Sequence, residues 1–137
     1  MGPVRSVLLL LIGWLAGTAV ALAAPAASVL AGLSLPLPRP AAPLFAAGAI
    51  GQASLNTQLP GTPGPFLEQV KAALGRQGYR ERPINTVSGP WGFNLVMDPP
   101  DGTTIDGTPA GKTAALVLQA TALGPDRLNL NVRFEGL

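Results

Sequence analysis

The clearest alternation of apolar and polar positions lies at the C-terminal end of the chain. In "RLNLNVRFE", Leu128, Leu130, Val132 and Phe134 alternate with Arg127, Asn129, Asn131, Arg133 and Glu135, which predicts a strand with one face on a core and the other in water. "WGFNLVM" repeats the pattern, with Trp91, Phe93, Leu95 and Met97 on one parity and Gly92, Asn94 and Val96 on the other. Between these runs "TAALVLQATAL" is apolar on both parities, as expected of a strand in the middle of a sheet or covered on both sides. Gly124 to Asp126, "GPD", reads as the turn that joins the last two strands in a hairpin. "YRERPINTV" carries Pro83 inside its alternation, so it is expected at a sheet edge.

A helical pattern precedes the strands. In "PFLEQVKAALGRQGY", Phe66, Leu67, Val70, Ala73 and Leu74 recur on one side, while Glu68, Lys71 and Arg76 fall elsewhere. Proline in the first turn and glycines at Gly75 and Gly78 mark its limits, which predicts a helix over about 65–77. Order and turn lengths together predict an α+β fold for residues 65–137, a small two-layer domain with one helix packed on a three- to four-stranded antiparallel meander. Such a domain is close to the smallest that a core alone can hold. Self-association into an oligomer is one expected remedy.

The front of the chain is a different material. Residues 1–24, "MGPVRSVLLLLIGWLAGTAVALAA", place Arg5 before an apolar run from Val7 to Leu22 and then small residues, the order of a secretory signal peptide. Cleavage after Ala23 uses Ala21 and Ala23 as the small pair; cleavage after Ala26 uses Ala24 and Ala26. The same run is long enough to be kept as an uncleaved membrane anchor. Either way the C-terminal part is expected outside the cytoplasm, secreted or in the periplasm or cell envelope. Over residues 25–64 prolines recur at Pro36, Pro38, Pro40, Pro43, Pro60 and Pro63. Each lacks a backbone donor and biases its predecessor toward extended geometry, so a Pro-rich spacer or stalk without regular helix or central strand is expected there.

Composition narrows the chemistry by exclusion. The 137 residues include no cysteine and no histidine, which removes disulfides, thiolate nucleophiles, Cys/His metal sites and the imidazole base. A formal net charge of +2 is too weak to demand nucleic acid. One stretch invites a nucleotide reading: "DGTPAGKTAALV", with Gly111, Lys112 and Thr113 in sequence. A phosphate loop needs a glycine five places before that Gly, and here that place holds Asp106, with Gly107 one residue late. Pro109 also removes an amide donor. Two turns that lead into a strand are the better reading.

Three further groups are candidates. Asp98, Asp101 and Asp106 share one loop with Thr103 and Thr104; oxygen ligands of this kind suit calcium, although aspartates beside prolines and glycines more often bond local amides in turns. Arg80 and Arg82 share one face of an edge strand, where they either meet an anion or keep the edge soluble. Trp91 stands between glycines, as an exposed stacking platform does, while its parity with Phe93 and Leu95 points to the core. Asn129 and Asn131, with Asn94, Gln119 and Thr121, line the wet face of the sheet. The expected protein is therefore not an enzyme, since no nucleophile, acid/base or metal constellation is recognisable and no cofactor is implied. It is an exported module that binds a protein or a surface polymer through its sheet face, in contact with membrane only if the leader is kept. The alternative is a small-ligand or calcium carrier using the loop from Asp98 to Asp106 or the cleft between helix and sheet.

Overall fold

A computed structural model describes residues 23–137, so the signal-peptide or anchor reading of residues 1–24 lies outside the described residues apart from Ala23 and Ala24. In chain order the elements are β1 (Ala24–Pro25), α1 (Ala26–Ala31), β2 (Ala42–Phe45), β3 (Ala53–Pro60), α2 (Pro63–Gly75), β4 (Arg80–Glu81), β5 (Val87–Gly89), β6 (Gly92–Asp98), β7 (Ile105–Asp106), β8 (Ala114–Gly124) and β9 (Arg127–Gly136), with short 3-10 turns at Ile50–Gln52 and Pro83–Asn85. Among the described residues the fold is α+β: two helices on a mostly antiparallel sheet.

Seven strands form the main sheet, in the order β2-β3-β9-β8-β6-β4, with β5 also paired to β6. The strands from β6 through β8 to β9 make the expected antiparallel meander, and β8 sits in its middle. At the β8–β9 turn Asp126 adopts a φ of 57° and the register shifts between Ala122 and Gly124. A separate two-stranded parallel pair joins β1 to β7.

The largest departure from expectation is at residues 25–64. The supposed spacer supplies α1, β2 and β3, and β3 pairs along its whole length with β9, from Ser54 against Arg133 to Pro60 against Arg127. Among the described residues the sheet has seven strands rather than three or four: this segment adds β2 and β3, and the single edge strand expected in "YRERPINTV" is replaced by two short ones, β4 and β5. The prolines did not prevent this because of where they fall: Pro60 ends β3, and Pro43 lies in the sheet's edge strand β2, where a missing donor breaks no interior ladder. The intervening run is also tied down. Gln77, just beyond α2, accepts a hydrogen bond from the Ser34 amide at 2.9 Å and donates to the Ser34 carbonyl at 2.8 Å.

One face of the sheet carries the core. Leu59, Leu128, Leu130, Val132, Phe134, Leu116, Leu118, Phe93 and Leu95 are buried there, as their alternation requires. α2 begins and ends two residues before its expected bounds, with Pro63 in the first turn and Gly78 at φ 89° just past the end. It lays Phe66, Leu67, Val70 and Leu74 against the sheet, with the Phe66 and Phe93 rings 6.0 Å apart. α1 adds Ala26 and Leu30 to the same core. Each large apolar side chain so buried contributes roughly 1.5–3 kcal/mol of transfer free energy.

Trp91 does not join that core. It occupies the turn between β5 and β6 and is 52% exposed, because the strand begins one residue later than its alternation suggests, at Gly92. Gly92, the first residue of β6, has φ 141°, and a Cβ there would overlap the Ala120 carbonyl oxygen. That constraint fixes the corner on which Trp91 is displayed. Gly111, at φ 75°, Lys112 and Thr113 form a turn that enters β8 directly, and Thr113 exchanges two 2.9 Å backbone hydrogen bonds with Leu137. No helix opens after them.

Candidate functional site

The face of the sheet opposite the core is lined by amides in cross-strand rows. Register places Asn94 (β6), Gln119 (β8), Asn131 (β9) and Asn56 (β3) side by side. The next row runs Gly92, Thr121, Asn129 and Gln58, and the row on the other side runs Val96, Val117, Arg133 and Ser54. With strands about 4.8 Å apart, four of them present a patch roughly 15 Å wide.

Side chains on this face are cross-linked rather than loose. Asn56 and Asn129 exchange reciprocal hydrogen bonds of 3.1 and 3.2 Å. Arg133 donates from Nη1 to Gln119 Oε1 at 2.9 Å and to Asn131 Oδ1 at 3.0 Å, and from Nε to Glu135 Oε1 at 2.9 Å. Arg127 holds Gln58 Oε1 through Nε and Nη2, at 3.2 and 2.7 Å. These bonds hold the amide donors and acceptors in set directions, a preorganisation that would lower the ordering cost of any contact made there. Beyond the amides the face becomes apolar, with Val96, Ala115 and Val117 buried in a small cluster of their own opposite Arg133 and Glu135. The arginine stems can cover such a cluster while their heads stay in water.

Charge on the face is mostly neutralised. Arg133 is paired with Glu135, and at the β4 edge Arg82 Nε meets Asp98 Oδ1 at 2.6 Å while Arg80 Nη2 meets Asp101 Oδ1 at 2.9 Å. The two arginines read either as an anion site or as charges that keep the edge soluble thus already hold carboxylates. The same pairs account for the aspartate loop. Asp98 and Asp101 each face an arginine, Asp106 lies in β7 beside β1, and among the described residues no group of three acidic side chains is placed to hold a metal. The cleft between α2 and the sheet is filled by the protein's own Phe66, Val70 and Leu74.

Trp91 closes one corner of the patch. Its ring lies against Gly89, where a Cβ would come within 2.7 Å of the indole Nε1, and Gly89 pairs with Gly92 at the end of the Thr121 row. Its carbonyl accepts from the Ala122 amide at 2.8 Å. The aromatic is thereby held at the rim with half its surface in solvent.

Of the residues expected to carry an interaction, Asn129 and Asn131 stand on this face, Trp91 at its corner and Arg80 and Arg82 at its edge strand. Asn56 and Gln58 were missed. Their signal was present in "ASLNTQLP", where Ser54, Asn56 and Gln58 alternate with Leu55, Thr57 and Leu59, but the surrounding prolines outweighed it. A second feature, also unforeseen, is the opposite edge of the sheet. In β2 all four residues are exposed, Leu44 at 53% and Phe45 at 70%, beside an open groove of about 350 Å³ lined by Leu30, Ala31, Pro43, Phe45 and Leu55 among others. Compared with protein-family models, curated proteins and solved structures, the chain matches nothing.

Proposed function

We propose that the protein is a non-catalytic module, displayed outside the cytoplasm, that holds a hydroxyl-rich, uncharged surface polymer on the amide-lined face of its sheet. The observation that carries this reading is the row of Asn94, Gln119, Asn131 and Asn56, braced by Arg133 and Asn129 and flanked by the half-exposed Trp91. Amides both donate and accept, as hydroxyl groups do, and an indole face stacks on the apolar side of a sugar ring or similar ring. The arginines on and beside the patch are already engaged by carboxylates or amides, which favours a neutral ligand over a polyanion. Display outside the cytoplasm rests on the leader pattern of residues 1–24. The non-catalytic reading rests on the absence of histidine and cysteine from the sequence. No long stalk enters the proposal, because the chain joins the fold from Ala24 onward.

Co-sedimentation with insoluble cell-wall polysaccharide from the producing cells tests it. Q119A/N131A and W91A are expected to lose pellet binding while keeping the wild-type melting temperature. Undiminished binding by both variants would remove the face from consideration.

A second reading, a protein partner, is favoured by a different place: the exposed apolar edge strand β2 with Leu44 and Phe45. Free strand edges accept another chain's strand, although Pro43 blunts this one. The calcium-carrier alternative has no comparable support, given the arginine partners of Asp98 and Asp101.

A further inference from the structure

The sequence offers a leader-removing endopeptidase two small-residue pairs, Ala21 with Ala23 and Ala24 with Ala26, and does not choose between them. The fold distinguishes them. Ala24 and Pro25 form β1, paired in parallel with Ile105 and Asp106 of β7, and the Ala24 amide donates to the Thr104 carbonyl at 3.0 Å. Ala26 is 2% exposed, opens α1 and belongs to the main core with Leu30, Ile50 and Ile105. Its methyl group is close to Gly51, where a Cβ would come within 3.2 Å of it.

Hydrolysis of the Ala26–Ala27 bond would strip β1 from β7 and empty the Ala26 site. It would also leave an α-ammonium in the first turn of α1, where the helix dipole opposes a positive charge. Among the described residues, hydrolysis of the Ala23–Ala24 bond removes only Ala23. Ala23 is exposed, and the nitrogen that becomes the ammonium already faces the Thr104 carbonyl oxygen, so the new charge strengthens an existing hydrogen bond.

We infer that Ala23–Ala24 is the processing site and that the mature chain begins at Ala24. Water is added across that peptide bond, leaving a carboxylate on Ala23 of the released leader and an ammonium on Ala24. The enzyme is of the class that reads small residues at the first and third positions before the bond. This inference rests on the export reading above and deepens it.

The test is to express the full-length gene in the producing cells, recover the protein by fraction, and determine its intact mass and N-terminal sequence. The expected product starts at Ala24 and lacks 23 residues. A product that starts at Ala27, or at any other residue, would overturn the assignment while leaving export intact. An unprocessed chain in the membrane fraction would overturn processing and favour the anchor; an unprocessed chain in the cytosol would overturn export itself. A23F, at an exposed position, is expected to abolish the processed form. A23F still cleaved at the same bond, with its product starting at Ala24, would also overturn the assignment.

Discussion

Leu59→Ala tests whether residues 25–64 belong to the folded unit. Leu59 lies in β3, is 3% exposed and pairs opposite Leu128. Truncation removes about three methylene equivalents, worth roughly 0.8 kcal/mol each, and leaves a cavity between two packed layers. The measured range for such changes is about 2–5 kcal/mol. A cooperative unit of about 115 residues has an unfolding entropy near 0.24 kcal/mol/K, so the melting temperature should fall by roughly 8–20 °C. Leu44→Ala is the control. Leu44 comes from the same segment but is 53% exposed, and its loss should cost under about 0.5 kcal/mol, roughly 2 °C. Calorimetry on both variants gives the answer. If Leu59→Ala melts within 2 °C of Leu44→Ala, the segment is a spacer after all and the seven-stranded sheet is wrong.

Other outcomes follow from single contacts. Gly92→Ala should destabilise more than any exposed substitution and bring loss of soluble protein, because the new methyl meets the Ala120 carbonyl oxygen and the φ of 141° suits only glycine; chemical denaturation measures it. Gln77→Ala removes the link to Ser34 and the 2.8 Å bond to the Ala73 carbonyl, so amide exchange over residues 33–37 should quicken with little change elsewhere. Stability should fall as pH rises above about 10. The Glu81 hydrogen bond raises Lys71 above its ordinary 10.5, with burial opposing, and burial raises Tyr79 above 10.0. Both groups hold their protons longer when folded, so the folded chain binds more protons in that window and loses stability through it. Melting curves from pH 8 to 12 would show this, and Glu81→Gln should flatten part of the fall.

The C-terminal half was legible because its strands are half-buried. One wet face forces strict alternation, so β9 and most of β6 could be read residue by residue, and β8, apolar on both parities through Leu118, declared its central place. Helix α2 showed its inner face for the same reason. The N-terminal half hid its strands under proline, which signals a break only if the affected amide is needed in an interior ladder. Pro43 sits in the edge strand and Pro60 at a strand end, so neither was needed there. Trp91 was misplaced because parity carries no mark of where a strand begins; Gly92, with its forced φ, sets that boundary. The candidate face was accordingly half visible. Asn94, Gln119, Asn129 and Asn131 could be grouped from alternation alone, whereas Asn56 and Gln58 required β3 to be recognised as the neighbour of β9.

NMR shift mapping tests the amide rows most directly. Isotope-labelled protein would be titrated with soluble neutral oligosaccharides released from the producing cell's own surface. Shifts are predicted to concentrate at the side-chain amides of Asn56, Asn94, Gln119 and Asn131 and at the Trp91 indole. Shifts confined to Leu44, Phe45 and the rest of the β2 edge, or a spectrum that does not change at all, would contradict it.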